Sequence, residues 1–217
     1  MNPASDTAEF AALRRRMVES QLRARAIADE RVLDAMARVP RHLFAPQRYV
    51  AEAYEDHPLP IGEGQTISQP YIVALMLEML SLKASDSVLE VGTGSGYVTA
   101  LLAELAAQVF SVERHATLAA EARGLLGGLV YKNVIVTVGD GTQGWPTGAP
   151  YNAILVSAAA SEVPPMLVSQ LAEGGRMVIP IGPADAQQLQ QIHIENGQPR
   201  TTLRELCRFV PLLSGVP

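Results

Sequence analysis

Apolar and polar positions along this chain follow two different periods in turn. Short continuous apolar runs are typical of buried strands, and stretches with apolar residues at every third or fourth position are typical of helices. The pattern predicts strands at 87–91, 109–113, 134–138, 153–157 and 176–180, with helices at 69–80, 96–106, 118–126 and 164–172. Strands that alternate with helices indicate a parallel sheet with right-handed crossovers.

The two ends of the chain depart from that alternation. Apolar residues at near-helical spacing predict a helix over 7–25, and Asp29 is expected to cap a second helix over 30–37. Residues 38–68 are rich in proline and glycine and are expected to be a long irregular segment. Runs at 189–195 and 203–209 have no helix between them and predict a hairpin that turns at Asn196-Gly197.

These elements predict an α/β fold in which a doubly wound, mostly parallel sheet carries an N-terminal helical cap and a C-terminal antiparallel hairpin. Ligands of such sheets bind beyond the carboxyl ends of the strands, where the strand order reverses. Polar and glycine residues at strand ends are therefore the candidates for ligand binding.

Composition narrows the class of protein. The chain has 217 residues, of which 48% are hydrophobic and 18% charged, and its net charge of −5 argues against a nucleic-acid surface. Its single cysteine, Cys207, excludes an intrachain disulfide and is expected to be a buried, inert thiol. No secretory signal, membrane span or metal-ligand cluster is visible in the sequence. We expect a cytoplasmic monomer that binds neither nucleic acid nor membrane.

A glycine-rich turn follows the first predicted strand. Glu90 ends that strand, and Gly92, Gly94 and Gly96 alternate with Thr93 and Ser95 before the next helix. The spacing differs from the G-x-G-x-x-G of dinucleotide enzymes. It resembles motif I of S-adenosylmethionine-dependent methyltransferases, which implies that this turn holds the amino-acid end of that cofactor beside Glu90. An ordinary strand-to-helix turn is the alternative.

Two further acids lie at the ends of the next two predicted strands: Glu113 is the last residue of 109–113, and Asp140 follows 134–138. Glu113 lies about 20 residues beyond the first glycine and, with Arg114 beside it, is expected to accept hydrogen bonds from both ribose hydroxyls. Asp140, followed by Gly141, is a candidate acceptor for the adenine amino group. A solvent-facing Glu113 and an ordinary Asp-Gly turn are the corresponding alternatives.

The irregular segment contains Gly62-Glu-Gly-Gln-Thr-Ile-Ser-Gln-Pro70, which is similar to the hallmark run of the protein-L-isoaspartate O-methyltransferase family. Flanking runs agree with that family at 31–36, 39–44, 53–56, 58–61, 139–141, 164–165 and 208–211. The resemblance spans roughly residues 17 to 213 and implies a Rossmann-like methyltransferase. It also implies a single domain over 1–217, with 1–80 as the cap and substrate segment and 81–217 as the cofactor-binding core.

By that resemblance, the chain methylates the free α-carboxylate of L-isoaspartyl residues in damaged proteins and peptides, and converts S-adenosylmethionine into S-adenosylhomocysteine. Ser68 takes the position of the family's catalytic serine, although it is also a plausible N-cap for the helix that follows. Thr66, Ile67 and Gln69 are expected to bind the peptide. Ser157 and Ala158 are expected to let its backbone approach, with helix–sheet packing as the alternative.

The chain departs from the family pattern at a few positions. Asn152 stands where an acid is common, Ala26 where a glycine is usual, and Ser161 where proline is frequent. Other functions stay open at this point: a methyltransferase for a small molecule or another carboxylate, a non-catalytic cofactor-binding protein and, more remotely, a nicotinamide dehydrogenase.

Overall fold

The computed structural model describes residues 6–217. Seven strands form the main sheet in the order β5-β4-β3-β6-β7-β8-β9, and β1 and β2 form a separate small hairpin. The strands are β1 Leu59–Pro60, β2 Thr66–Ile67, β3 Ser87–Val91, β4 Gln108–Glu113, β5 Val134–Val138, β6 Tyr151–Val156, β7 Leu171–Ile181, β8 Gln187–Glu195 and β9 Gln198–Cys207. The helices are α1 Ala8–Met17, α2 Glu30–Arg38, α3 Pro70–Leu80, α4 Tyr97–Leu105, α5 Ala116–Gly128 and α6 Pro165–Val168.

The strands β3 to β7 are parallel, whereas β8 and β9 are antiparallel to their neighbours. The strand order reverses at β3, which pairs with β4 on one side and β6 on the other. The predicted fold class is therefore confirmed, including the C-terminal hairpin.

Alternation along the strands divides the core between the two faces of the sheet. Val88 packs with residues of α1 to α5 on one face. Leu89 and Val91 pack with α6 and β7 on the other. Because successive side chains point to opposite faces, Glu90 shares the face of Val88, beneath α4.

The N-terminal cap begins as the sequence predicts. The Thr7 hydroxyl accepts a hydrogen bond from Phe10 N at the start of α1, and the Asp29 carboxylate accepts one from Arg31 N at the start of α2. The predicted helix over 7–25 is regular only as far as Met17, because Val18–Leu22 form a π-helical turn and Arg23–Arg25 a 3₁₀ turn.

Two of the predicted elements are wrong in extent. The helix expected over 164–172 ends at Val168, because Leu171 already pairs with Tyr151 of β6, and Tyr151 N donates to Gln170 O at 2.8 Å. The segment expected to be irregular contains the β1–β2 hairpin, whose strands are too short to leave a periodic pattern in the sequence.

The described residues contain no helix that is long and apolar enough to cross a membrane.

Candidate active site

A cavity opens beyond the carboxyl ends of β3, β4 and β6, where the strand order reverses. Its position is the one expected for a ligand site of a doubly wound sheet. The residues that line it are Gln65, Thr66, Ile67, Ser68, Val91, Gly92, Thr93, Gly94, Ser95, Tyr97, Val98, Val112, Glu113, Arg114, His115, Gly141, Ser157, Ala158, Val210, Pro211, Leu212 and Leu213. Most of the predicted site residues are among them, whereas Glu90, Gly96, Asp140 and Gln69 are not.

The glycine turn needs its glycines for backbone conformation. Gly92 has φ 93° and Gly94 has φ 53°, in the left-handed region where an ordinary side chain is strained. Gly92 N also donates to Val112 O at 2.8 Å, which draws the turn against β4. Gly96 lies behind the cavity, where a Cβ would press on the Ala122 side chain of α5 at 3.3 Å. It serves helix packing rather than the cavity wall.

Glu113 faces both the cavity and the glycine turn. Its Oε2 accepts a hydrogen bond from Gly94 N at 2.9 Å, and its Oε1 accepts one from His115 N at 3.0 Å. The side chain is almost completely buried, so the alternative of a solvent-facing glutamate is wrong. Each carboxylate oxygen can accept a further hydrogen bond from a ligand hydroxyl.

Glu90 does not reach the cavity, which corrects the expectation that it lies beside the ligand. It is completely buried, and its Oε2 accepts hydrogen bonds from the hydroxyls of Thr99 and Ser111 at 2.5 Å each. Burial raises the pKa of Glu90 to about 8. The Ser111 hydroxyl also shares a hydrogen bond with the Thr93 hydroxyl at 2.5 Å, in which either oxygen can donate. Glu90 therefore acts on the glycine turn only through Ser111 and Thr93.

Asp140 lies off the cavity wall but next to Gly141, which lines it, and its contact with adenine stays a prediction. Its Oδ1 accepts from Thr142 N at 2.9 Å and from the Thr142 hydroxyl at 2.7 Å, and its Oδ2 accepts from Gly215 N at 2.7 Å. Partial burial raises the pKa of the Asp140 carboxyl group, but hydrogen bonds from Gly215 and Thr142 outweigh this effect and bring that pKa below its ordinary value. In the described structure, Asp140 thus caps the turn that follows β5 and connects it to the C-terminal segment.

That C-terminal segment forms a wall that sequence reasoning missed. Leu212 N donates to Ala159 O at 2.7 Å and Ala159 N donates to Val210 O at 2.8 Å, which fixes residues 210–213 against the loop after β6. The segment carries only apolar side chains into the cavity. Its family resemblance at 208–211 was the one signal that could have marked it.

Ser68 follows β2 at the edge of the cavity, between Ile67 and the start of α3. Gln69, not Ser68, is the residue that precedes the first turn of α3, so the N-cap alternative for Ser68 is wrong. Within residues 6–217, no side chain or backbone group forms a hydrogen bond with the Ser68 hydroxyl. The hydroxyl is left available to a ligand.

A carboxylate distant in sequence holds the segment around Ser68. Asp56 Oδ2 accepts from Gln69 Nε2 at 2.8 Å and from Arg25 Nη1 at 2.7 Å, and Asp56 Oδ1 accepts from Tyr71 N at 3.1 Å. The Arg25 guanidinium lies 3.4 Å from the centre of the Tyr71 ring. Gln69, predicted to bind peptide, is thus turned away from the cavity toward Asp56.

The β1–β2 loop connects the Ser68 segment to the opposite wall of the cavity. Thr117 of α5 donates to Glu63 Oε1 at 2.7 Å, and Glu63 Oε2 lies 3.8 Å from His115 Nδ1. Gln65 and His115 line the cavity next to this connection. Gln65 belongs to the run that resembles the family's hallmark, whereas no motif marked His115.

Two small residues and one nitrogen atom without a hydrogen-bond partner also belong to the cavity wall. Ser157 and Ala158 follow β6 and line it, as predicted. Arg114 Nε is buried without a hydrogen-bond partner in the described residues and belongs to a side chain on the cavity wall, so it is a donor left for a ligand. No group of three or more His, Cys, Asp or Glu side chains that could hold a metal ion occurs in the described part of the chain.

Asn152 lies at the opposite end of β6 from the cavity. Its Oδ1 accepts a hydrogen bond from Ser87 N at 2.8 Å, which joins the beginnings of β6 and β3. The departure from the common acid at this position therefore lies outside the cavity lining.

The comparisons with known proteins agree on one family. The family model for protein-L-isoaspartate(D-aspartate) O-methyltransferase matches residues 12–216. A protein-L-isoaspartate O-methyltransferase of Koribacter versatilis is 54% identical over 213 residues, which cover 98% of this chain and 96% of that protein. One of Methanoculleus marisnigri is 56% identical over 201 residues, covering 92% and 91%.

A solved structure agrees in fold over nearly all of both chains. A Plasmodium falciparum protein of the same described activity, crystallised with S-adenosyl-L-homocysteine, superposes with a TM-score of 0.82 at 28% identity and covers 93% of this chain and 99% of that chain. With the cavity, the glycine turn and the Ser68 segment in place, these matches show that the chain belongs to the protein-L-isoaspartate(D-aspartate) O-methyltransferase family.

Proposed function

We propose that this chain transfers a methyl group from S-adenosylmethionine to the free α-carboxylate of L-isoaspartyl residues in damaged proteins and peptides. The methyl ester then closes to a succinimide, whose partial opening to aspartate repairs the backbone. The observation that carries this proposal is the Ser68 hydroxyl, which lies without a hydrogen-bond partner from the described residues at the edge of a cavity floored by the glycine turn. The type of reaction is inferred from membership of the family.

The residues of the cavity fit such a methyl donor. Glu113 offers carboxylate lone pairs beside Gly94 N, and the unpartnered Arg114 Nε offers a buried hydrogen-bond donor. Gly92, Thr93, Gly94 and Ser95 form the wall that would hold the amino-acid end, and Gly141 lies where a Cβ would collide with the Val91 side chain. When bound, the donor supplies an electrophilic methyl group on a positively charged sulfur.

The acceptor carboxylate must be positioned by the protein, but it does not need to lose a proton during the reaction. A carboxylate with a pKa near 4 is already ionised at neutral pH, so no general base is required. The Ser68 hydroxyl donates a hydrogen bond to one carboxylate oxygen and thereby directs the other oxygen toward the methyl group. Alignment of two reactants of this kind is worth about 7–11 kcal/mol of the barrier.

The walls around Ser68 suit an extended peptide. Thr66 and Ile67 belong to the two-residue strand β2, which pairs only with β1 and leaves its other edge unpaired in the described structure. The small side chains of Ser157 and Ala158 face the same cavity. An isoaspartyl residue, whose backbone runs through its side-chain carbon, has a free α-carboxylate that can enter between them.

The proposal extends to the organisation of the molecule. Residues 1–80 and 81–217 act as one domain, because Ser68 and the glycine turn line a single cavity. We propose that the chain works as a cytoplasmic monomer on proteins and peptides, without nucleic acid or membrane. The net charge of −5 supports the exclusion of nucleic acid.

The test measures methyl incorporation into an isoaspartyl peptide and into its aspartyl twin. We expect transfer only to the isoaspartyl peptide, and a loss of about 100-fold in turnover for Ser68→Ala, since small misplacements of reactants have effects of that size. Ser161→Ala, at an exposed serine outside the cavity, is the matched control. Binding of S-adenosylhomocysteine, measured by calorimetry, should be equal in all three proteins.

Each failure of this test has its own meaning. Equal rates on both peptides would reject isoaspartyl specificity and favour another carboxylate or a small molecule as acceptor. Binding of the donor product without transfer to any acceptor would favour a non-catalytic protein. Unchanged turnover in Ser68→Ala would reject the positioning role of that serine alone.

A further inference from the structure

The turn between β8 and β9 is formed by Asn196 and Gly197, which are both exposed. Asn196 has φ 53° and Gly197 has φ 72°, the pair of left-handed conformations that a two-residue hairpin turn requires and that Asn-Gly adopts most readily. The sequence predicted this turn, and the proposed function makes no use of it.

Asn-Gly is also the dipeptide in which asparagine is chemically least stable, because glycine has no Cβ to obstruct the reaction. The Gly197 backbone nitrogen loses its proton and forms a bond to Asn196 Cγ, and the side-chain amide leaves as ammonia. Water then opens the resulting succinimide at either carbonyl and gives an aspartyl or an isoaspartyl residue. The reaction requires the Gly197 nitrogen to be free to turn toward Asn196 Cγ.

In this structure, both backbone amides of the turn are held by one carboxylate. Asn196 N donates to Glu173 Oε1 at 2.7 Å, and Gly197 N donates to Glu173 Oε2 at 2.9 Å. Glu173 belongs to β7, and the register that pairs Arg176 with His193 places it opposite Asn196. The sheet itself therefore delivers this carboxylate to the turn.

We propose that Asn196-Gly197 is a latent deamidation site of this protein, and that the Glu173 carboxylate suppresses the reaction by holding both turn amides. The nitrogen that would attack donates its proton to a charged acceptor, and such hydrogen bonds are among the stronger ones in proteins. Two hydrogen bonds to one carboxylate also restrain the turn, so the Gly197 nitrogen stays out of reach of Asn196 Cγ.

No neighbouring side chain is positioned to replace Glu173. His193 uses Nδ1 toward Glu195 Oε1 at 3.1 Å and Nε2 toward Gly174 O at 3.2 Å. In the described structure, the Glu195 carboxylate accepts no hydrogen bond from the amides of the turn and instead pairs with His193. Glu195 is therefore a matched control, because its removal changes the net charge around the same turn equally.

The experiment incubates the purified protein at mildly alkaline pH without any methyl donor and follows Asn196 by peptide mapping and mass spectrometry. We expect Glu173→Ala to deamidate at Asn196 at least about tenfold faster than the unsubstituted protein, a factor appropriate to a lost hydrogen bond to a charged group. Glu173→Gln, which keeps one carbonyl acceptor, should lie between them, and Glu195→Ala should match the unsubstituted protein.

Internal and external references make the result interpretable. Asn133 Nδ2 donates to Ala103 O at 2.9 Å and Asn152 accepts from Ser87 N, so both should remain intact in the same digests. A synthetic peptide of residues 192–201 gives the rate of the unrestrained turn. Hydrogen exchange of the β8 and β9 amides reports whether Glu173→Ala keeps the hairpin. If it does not, Glu173→Gln against Glu195→Ala decides.

The proposal is overturned if the intact protein deamidates as fast as the peptide. It is equally overturned if removal of Glu173 leaves the rate unchanged or lowers it, because the carboxylate would then be inert or would act as the base. None of these measurements involves methyl transfer, so their outcome tests this proposal independently of the proposed function.

Discussion

The Asp56 carboxylate accepts a hydrogen bond from Tyr71 N at 3.1 Å and so caps helix α3 from a position outside the helix. The helix begins at Pro70 without a side-chain cap of its own, because Gln69 forms none. Asp56 at once binds the Gln69 side chain and Arg25. One carboxylate therefore determines where the residues immediately after Ser68 lie.

Replacement Asp56→Asn should lower turnover of the isoaspartyl peptide by about 10- to 100-fold, because Ser68 would lose its fixed position relative to the acceptor. Affinity for S-adenosylhomocysteine should be unchanged, since Asp56 does not line the cavity. Glu52→Gln, which removes a charge from a nearby surface carboxylate, should behave like the unsubstituted protein. An equal loss of turnover and of donor-product affinity would argue for general unfolding.

Ala26 occupies a conformation that suits glycine. It has φ 66° and ψ 22°, in the left-handed region, where a residue with a Cβ is strained by about 1–2 kcal/mol. Glycine relieves that strain but adds about 0.5–1 kcal/mol of unfolded-state entropy. We expect Ala26→Gly to raise the free energy of unfolding by up to about 1 kcal/mol, measured by urea denaturation.

The control for Ala26→Gly is Ala37→Gly, within the regular helix α2. The same substitution there should lower the free energy of unfolding by about 1 kcal/mol, because glycine is a poor helix former. Destabilisation of similar size at both positions would contradict the strain at Ala26.

Because of Glu90, the free energy of unfolding should change with pH in the direction opposite to that caused by most carboxyl groups. Burial raises its pKa to about 8 in the folded state, so the folded protein holds a proton that the unfolded chain has already lost. Its contribution to the free energy of unfolding should therefore fall as pH rises from its ordinary pKa, about 4.3, toward about 8. Glu90→Gln carries no such proton and should lack this part of the slope.

Urea denaturation across that pH range, with the two proteins compared at each pH, isolates the Glu90 contribution from those of the histidines. The difference should amount to a few kcal/mol at the alkaline end, since each pKa unit corresponds to about 1.4 kcal/mol. Parallel profiles would mean that Glu90 is ionised in the folded protein.

Asp140 should influence the donor site through the C-terminal segment rather than by contact. Asp140→Ala removes the hydrogen bond from Gly215 N, which holds the chain just beyond the cavity wall formed by residues 210–213. We expect weaker binding of S-adenosylhomocysteine in calorimetry. A chain that ends at Leu213 should reproduce the effect. If the shortened chain binds normally while Asp140→Ala does not, Asp140 contacts the ligand directly.

The sequence predicted the sheet, the cavity's position and most of its wall, because strand ends and glycine turns leave local patterns. It did not predict the neighbours of Glu90 and Asp140. Glu90 is the last residue but one of β3, and Asp140 lies two residues beyond the end of β5, so both are near strand ends as expected. Glu90 nevertheless points beneath α4 because of strand alternation, and Asp140 is satisfied by Gly215, which is distant in sequence. The position of Glu90 and Asp140 near strand ends predicted where these residues lie in the fold, but it did not predict where their side chains point.

Other errors have the same origin in contacts between distant residues. The helix expected over 164–172 has adequate helical spacing, but pairing of Leu171 with Tyr151 extends β7 instead. Ser68 satisfies the local pattern for an N-cap, whereas the cap of α3 comes from Asp56. Local propensity was overridden in each case by a partner that no short window of sequence contains.

The cavity wall combines Thr66, Ile67 and Ser68 from the first part of the chain with the glycine turn from the second, and Glu63 joins the two through Thr117. A molecule that fills this space contacts both parts of the chain. Because it binds the folded protein and not the unfolded chain, it raises the free energy of unfolding. Protease cleavage within 59–69 should therefore slow when S-adenosylhomocysteine is present, although most of that segment belongs to the acceptor side.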